Sequence, residues 1–237
     1  MNASTRLILP PVRRALHASH RIMRRLFFDR LVDRMKRTGP VEDVDVLINL
    51  AMRGYWHAIT PIQNRPEIAG LLRILKEMRP GRILEIGTAS GGTLFLFTRI
   101  AVPDALLISL DLPSGPGGGG YPASKIPLYQ AFALPEQRLE LIRDDSHDPA
   151  VHSRIVGLVG EQGLDFLFID GDHSYDGVKR DYEMYGPLVK PGGLIAFHDI
   201  EFCPDVQKFW DEVKVGRRAQ EILDGQKPRF GIGLLYT

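Results

Sequence analysis

Between residues 82 and 197, five short apolar segments are separated by stretches of helical periodicity, and this alternation constrains the fold most strongly. Apolar strands that alternate with helices form a parallel sheet with right-handed crossovers, so the sequence predicts a doubly wound α/β fold. After a helix near residues 206–213, segments 219–223 and 231–236 predict two last strands. The five earlier strands are predicted at Arg82–Ile86, Leu106–Leu110, Arg138–Ile142, Leu164–Ile169 and Leu194–Phe197.

The N-terminal part of the chain is strongly basic. Residues 1–37 hold ten Lys and Arg against two Asp, a net charge of +8, whereas the whole chain has +1. Apolar residues from Val12 to Met35 recur at helical spacing, and Gly39 with Pro40 ends the pattern. Such a helix suits an anionic membrane, a nucleic acid, or docking on its own domain or a partner subunit. We expect docking, with a homo-oligomer through the N-terminal helices as one form of it. Shorter helices are predicted within 41–60 and over 67–78.

Composition excludes several classes of protein. Charged residues make up 25% of the chain and hydrophobic residues 44%, which is typical of a globular protein and not of a disordered one. Cys203 is the only cysteine, so an internal disulfide and a cysteine-based zinc site are excluded, and a cytoplasmic location is expected. No segment approaches the roughly 18 apolar residues of a membrane span. The apolar stretch at residues 7–9 is too short for a signal peptide.

The first predicted strand ends in a glycine turn that is typical of nucleoside binding. Glu85-Ile-Gly87-Thr-Ala-Ser90-Gly91-Gly92 leads from the strand into a helix, and Asp111 ends the next strand. Glycines allow a tight turn and close approach of a ligand, and an acid at the second strand end can accept hydrogen bonds from ribose hydroxyls. Position 89 is Ala where a dinucleotide-binding motif has Gly, and the Lys of a phosphate-binding P-loop is absent. The motif therefore favours a nucleoside cofactor without phosphate.

These motifs resemble those of the class I S-adenosylmethionine-dependent methyltransferases. The resemblance covers about residues 65–237, which leaves 1–64 as a basic helical extension. It implies a Rossmann-like, seven-stranded, mostly parallel sheet with an antiparallel last strand. Phe168–Tyr175 and Pro191–Asp199 are similar to a branch of small-molecule O-methyltransferases and cephalosporin-biosynthesis relatives. The cofactor-binding residues that the resemblance implies are Glu85, Gly87, Ser90, Gly91, Asp111, Asp145 and Ser146.

Acidic and imidazole side chains follow the fourth and fifth predicted strands. Asp170 ends one strand, and His198 and Asp199 end its neighbour, so the three meet at the carboxyl edge of the sheet. Oxygen ligands suit Mg²⁺ or Mn²⁺, and an imidazole among them favours Mn²⁺, Fe²⁺ or Zn²⁺. Asp170, His198 and Asp199 are therefore candidate ligands of a divalent ion, with Mg²⁺ or Mn²⁺ expected. Asp170, His173 and His198 are candidate catalytic residues, because an acceptor hydroxyl must lose its proton. Either a base takes the proton, or a bound metal ion lowers the pKa of the hydroxyl.

Two further segments have alternative interpretations. The glycine-rich stretch 113–122 is expected to pack little and to be either a connector or a lid over the pocket. Asp172, Asp176, Lys179, Arg180 and Asp181 are predicted to form the solvated face of a helix.

The predicted function is methyl transfer from S-adenosylmethionine to a small molecule, at a hydroxyl oxygen of a sugar or natural product. Two alternatives stay open. One is an RNA or protein methyltransferase guided by the basic N-terminal segment, although the acidic remainder of the chain makes a nucleic-acid partner unexpected. The other is a helper protein that binds the cofactor without catalysis.

Overall fold

Seven strands form one sheet in the computed structural model, which describes residues 23, 25–114, 119–225 and 229–237. The strands are β1 (Arg82–Ile86), β2 (Leu106–Asp111), β3 (Arg138–Arg143), β4 (Leu164–Ile169), β5 (Val189–His198), β6 (Ala219–Ile222) and β7 (Ile232–Tyr236). Their order is β3-β2-β1-β4-β5-β7-β6. Strands β1 to β5 are parallel, and β7 runs antiparallel to both β5 and β6. The predicted doubly wound sheet with an antiparallel last strand is confirmed.

Helices cover both faces of the sheet. They are α1 (25–36), α2 (Val44–Asn49), α3 (Arg65–Met78), α4 (Gly92–Ile100), α5 (Ile126–Gln130), α6 (Pro149–Val159), α7 (Tyr175–Tyr185) and α8 (Pro204–Val213). Side-chain oxygens of Asp43, Asp148 and Ser174 accept hydrogen bonds from amides in the first turns of α2, α6 and α7, which starts each helix locally. Among the described residues, no helix has the length and apolar character that crossing a bilayer requires.

The two faces of the sheet bury separate apolar clusters. Along β2 every residue is buried, and along β4 only Asp165 is not fully so, because helices cover these central strands on both sides. One cluster joins alternate residues of the strands to α1–α4, and the other joins the intervening residues to α6–α8. This packing holds the carboxyl ends of β1, β2, β4 and β5 side by side at one edge.

The N-terminal helix packs against the helices on one face of the sheet. Leu31, Val32 and Met35 are buried in the same cluster as α3 and α4, so this part of the apolar stripe docks on its own domain. The buried guanidinium of Arg99 in α4 donates a hydrogen bond to the Thr38 carbonyl at 3.0 Å, which fixes the end of α1. The predicted helical residues before 23 lie outside the described part of the chain. The boundary at residue 64 stays a prediction.

Some local predictions differ from the structure. β5 begins at Val189 instead of Leu194, and within 41–60 only Val44–Asn49 is α-helical, continued by a π-helical turn over Leu50–Gly54. Tyr121 is 1% exposed, so the expectation that 113–122 packs little is wrong at this residue; residues 115–118 lie outside the described part. Asp181 is fully buried, so the prediction of a solvated face is wrong at this residue, and its carboxylate lies 3.2 Å from His147 Nε2.

Candidate functional site

The glycine turn after β1 lies directly against the end of β4. Gly87 has a φ of +90°, and a Cβ placed on it would lie 2.0 Å from the carbonyl oxygen of Asp170. The Asp170 amide in turn donates to the Ile86 carbonyl at 2.8 Å. Only glycine fits this position, since any side chain would overlap backbone. The turn expected to bind a cofactor is therefore in contact with the first of the predicted catalytic residues.

Asp111 organises the glycine turn. One carboxylate oxygen accepts hydrogen bonds from the amides of Thr88 at 2.9 Å and Ala89 at 2.7 Å, and the other accepts from Leu112 at 2.8 Å. Burial raises the pKa of Asp111, and these amides oppose the shift. Ala89 adopts a φ of +43°, the left-handed region that favours glycine, and its contact with Asp111 helps hold it there.

Glu85 lies buried beneath the same turn. Its carboxyl accepts a hydrogen bond from the Thr88 hydroxyl at 2.8 Å, and Thr88 is 2.6 Å from the hydroxyl of Ser109 on β2. Burial raises the pKa of Glu85 to about 8, although Thr93 and Thr88 stabilise its ionised form. Glu85 is thus neutral through much of the range in which an unperturbed Glu is charged.

The other two residues of the turn contact protein groups. The Ser90 hydroxyl donates to the Thr60 carbonyl at 2.6 Å. A Cβ on Gly91 would lie 2.7 Å from the Tyr129 ring, and the Tyr129 hydroxyl donates to the Ala89 carbonyl at 2.7 Å. A side chain at position 91 would therefore overlap an aromatic ring, and the role of Gly91 in cofactor binding stays a prediction.

Asp145 and Ser146 follow β3 and lie beside the end of β2, because the Asp144 amide donates to the Asp111 carbonyl at 2.8 Å. The Asp145 carboxylate accepts from the His147 amide at 2.8 Å, and the Ser146 carbonyl accepts from the buried Tyr185 hydroxyl at 2.7 Å. Asp145 is exposed, so its carboxylate is accessible to a ligand at the sheet edge.

Four side chains converge at the ends of β4 and β5. His198 Nδ1 lies 3.1 Å from an Asp170 oxygen and 3.2 Å from an Asp199 oxygen. His173 Nε2 lies 3.4 Å from an oxygen of each of the same two carboxylates. His198 is 3% exposed, whereas His173 is on the surface. The predicted catalytic and metal-binding residues are therefore brought together as one cluster, with two imidazoles flanking two carboxylates.

The charges of this cluster are strongly coupled. Burial disfavours a charged imidazole at His198, but the Asp170 and Asp199 carboxylates outweigh burial and raise its pKa to about 10. A hydrogen bond to Asp170 likewise raises the pKa of His173. Burial acts to raise the pKa of Asp170, yet the two imidazoles lower it overall. Without another cation, His198 balances the carboxylates as an imidazolium and is a poor proton acceptor.

Backbone conformation sets the position of Asp199. Its φ of +64° lies in the left-handed region, which Asp tolerates better than most residues. The Asp199 carbonyl accepts from the amides of Phe202 and Cys203, which stabilises the turn into α8. The ligand atoms of Asp170, His198 and Asp199 lie within 4.8 Å of one another, a donor set of oxygens and an imidazole nitrogen that fits a divalent metal ion.

Three residues at the site were missed by the sequence analysis. Gln63, 8% exposed, donates from Nε2 to the second Asp170 oxygen at 3.3 Å, across 107 residues of sequence. Glu67 on α3 is fully buried, and burial raises the pKa of its carboxyl while the charge of His198 opposes the shift. Phe230 places its ring 5.5 Å from the His198 ring. No local pattern marks Gln63 or Glu67, because both lie where the sequence predicts only an extension and an amphipathic helix.

Comparison with known proteins supports a methyltransferase domain. A family described as "Methyltransferase domain" matches residues 84–200. An uncharacterised protein of Sinorhizobium fredii is 24% identical over 69% of this chain, and one of Acanthamoeba polyphaga mimivirus is 31% identical over 36% of it. The aligned regions span only 18% and 41% of those two relatives.

Solved structures of low sequence identity share the fold. The O-methyltransferase TomG from Streptomyces achromogenes, in complex with SAM, has a TM-score of 0.53 at 18% identity, over 83% of this chain and 90% of that one. An O-methyltransferase from Bacillus cereus, in complex with SAH, has a TM-score of 0.56 at 15% identity, over 83% and 92%. The family match over residues 84–200 and the seven-stranded sheet therefore identify a methyltransferase domain in this chain.

Proposed function

We propose that this protein transfers a methyl group from S-adenosylmethionine to a hydroxyl oxygen of a small molecule, of the sugar or natural-product class. One observation carries the proposal: the Gly87 turn packs so closely on Asp170 that a Cβ on Gly87 would lie 2.0 Å from the Asp170 carbonyl oxygen. A donor bound over this turn lies beside the cluster of Asp170, His173, His198 and Asp199. Donor site and proton-accepting groups are thereby adjacent, as direct transfer to an acceptor requires.

In this proposal, the predicted cofactor residues along the sheet edge contact different parts of the cofactor. Gly87, Ser90 and Gly91 shape the turn under the methionine part, and Asp111 has the position to accept hydrogen bonds from the ribose. Glu85 beneath the turn supplies a carboxyl that a cationic ligand would help to ionise. In this proposal Asp145 and Ser146, after β3, contact the adenine.

The chemistry required of the protein is modest, because a sulfonium is already a strong methyl donor. The chain must align the acceptor oxygen with the methyl carbon and take up the hydroxyl proton. Without a bound metal ion, His173 is the better proton acceptor, since it is exposed, whereas His198 is buried and its pKa is raised to about 10 by Asp170 and Asp199. Asp170 orients both imidazoles and accepts from Gln63.

A divalent ion fits the same cluster. Asp170, His198 and Asp199 would hold it, and Mg²⁺ and Mn²⁺ are the ions that the sequence analysis favours. When bound, such an ion would lower the pKa of an acceptor hydroxyl and orient its oxygen. It would also replace the positive charge that His198 carries between the carboxylates.

Isothermal calorimetry with S-adenosylhomocysteine tests the cofactor assignment. We expect binding by the full chain, and Asp111→Ala weakens it by about 1–3 kcal/mol, the scale of hydrogen bonds to a charged group. Asp111→Asn is the matched variant, because its amide keeps the size of the side chain. Thermal unfolding of both variants separates a lost ligand contact from a disordered turn.

Methyl transfer itself is tested with labelled S-adenosylmethionine and a panel of hydroxylated sugars and aromatic natural products. Labelled product that disappears with Asp170→Asn supports the assignment of the acceptor side. Retention of NAD by a protein that ignores both S-adenosylmethionine and S-adenosylhomocysteine would overturn the proposed function.

A further inference from the structure

The geometry points to a metal site that selects a first-row transition-metal ion over Mg²⁺, with His173 as a ligand in addition to Asp170, His198 and Asp199. This inference rests on the proposed function, which places a divalent ion at the same edge of the sheet. It adds a fourth side chain to the site and decides between the classes of ion.

The first observation is that an imidazole lies on each side of the carboxylate pair. His198 presents Nδ1 to Asp170 and Asp199 from the buried side, at 3.1 and 3.2 Å. His173 presents Nε2 to the same two residues from the solvent side, at 3.4 Å from each. Both imidazoles thus face the same Asp170 oxygen, while His198 faces Asp199 Oδ1 and His173 faces Asp199 Oδ2.

The second observation is that Asp199 belongs to two overlapping sets of metal-ligating atoms. One consists of Asp170, His198 and Asp199, and the other of His173, Asp199 and Cys203; within each, the atoms lie no more than 4.8 Å apart. Asp199 belongs to both because its Oδ1 lies 3.2 Å from His198 Nδ1 and its Oδ2 lies 3.4 Å from His173 Nε2. Asp170 Oδ1 links the two sets, because it lies 3.1 Å from His198 Nδ1 and 3.4 Å from His173 Nε2.

Donor chemistry then ranks the ions. Mg²⁺ prefers oxygen ligands and keeps several waters, so each imidazole is a poor replacement for a carboxylate. Imidazole nitrogen binds Fe²⁺, Co²⁺, Ni²⁺ and Zn²⁺ well, and affinity for nitrogen and oxygen sites rises from Mn²⁺ to Co²⁺. Two imidazoles with carboxylates resemble the donor set that proteins use for iron and related ions. We expect affinity to rise in the order Mg²⁺, Mn²⁺, Co²⁺.

Visible absorption of Co²⁺ tests the proposal without an assay of activity. Tag-free full chain is titrated with CoCl₂ and then with MgCl₂, and calorimetry with S-adenosylhomocysteine is run on the same metal-free protein. We expect ligand-field bands that differ from those of aqueous Co²⁺. These bands persist when Mg²⁺ is added in about a tenfold excess over Co²⁺. Removal of the bands by equimolar Mg²⁺, or their absence, would overturn the proposal.

Variants assign the ligands. We expect His173→Asn to weaken Co²⁺ binding by about 10–100-fold. Loss of a residue that only supports a metal ligand already has an effect of this size, and His173 is proposed as a ligand itself. Its surface position makes this variant tolerable to the fold, whereas buried His198→Asp can fail to fold and is checked by thermal unfolding. If His198→Asp folds, the preference shifts toward Mg²⁺. His57→Asn is the control: His57 is exposed with a φ of +61°, which Asn accepts.

Cys203→Ser separates the two overlapping sets. The proposal gives the thiol no role, so this variant keeps the Co²⁺ bands and their titration midpoint. Loss of Co²⁺ in Cys203→Ser, with full binding in His173→Asn, would place the ion elsewhere and refute the assignment. Binding of S-adenosylhomocysteine without Co²⁺ bands refutes the metal inference alone, whereas loss of both refutes the proposed function as well.

Discussion

Glu85 makes folding stability depend on pH in a direction opposite to that of most carboxylates. It is fully buried below the glycine turn, and burial raises its pKa from the ordinary 4.5 to about 8. In the unfolded chain the group ionises above pH 4.5, while in the folded protein it keeps its proton until about pH 8. The folded state binds the additional proton, so stability falls as pH rises through this interval.

The magnitude follows from the proton difference. Each pH unit between the two pKa values costs about 1.4 kcal/mol of unfolding free energy. In the wild-type protein the Thr88 hydroxyl donates to a Glu85 oxygen at 2.8 Å. Glu85→Gln keeps an oxygen that can accept this hydrogen bond, but its side chain cannot ionise. Relative to wild type, this variant therefore gains about 3 kcal/mol between pH 5.5 and 7.5.

Urea unfolding at pH 5.5, 6.5 and 7.5 measures this difference, and a comparison of variant with wild type cancels the other titrating groups. Glu77→Gln on the exposed surface of α3 is the control for removal of one carboxylate. A difference between Glu85→Gln and wild type that stays constant across these three pH values would refute the argument that burial keeps Glu85 neutral.

Two other perturbations test the packing around the site. Gly87→Ala places a Cβ 2.0 Å from the Asp170 carbonyl at a φ of +90°, so it destabilises the fold by about 3 kcal/mol or more in urea unfolding. Gly157→Ala, in α6 with open space around it, is the control and stabilises by about 0.5–1 kcal/mol. Asp181 raises the pKa of His147, so their ion pair stabilises the fold below the ordinary His pKa and is lost as pH rises through the raised one. His147→Gln therefore lowers the melting temperature more at pH 6 than at pH 9, and an equal loss at both would contradict this.

The order and type of most elements could be predicted from sequence because they depend on local patterns. A strand buried on both faces must be nearly all apolar, and β4 shows this in the sequence as in the structure. The end of a strand places the next polar residue at the sheet edge, so Asp111, Asp170 and Asp199 could be assigned to that edge. Their role as cofactor or metal ligands stays a prediction.

What the sequence alone determined is the parallel sheet, its carboxyl edge and the residue types found there, since each follows from neighbours within a few positions. Tertiary structure decided which side chains meet. Gln63 reaches Asp170 across 107 residues, Tyr129 fills the space beside Gly91, and Asp181 becomes buried against His147. Such contacts depend on how distant segments pack, and side-chain burial and the resulting pKa shifts arise only once that packing excludes water.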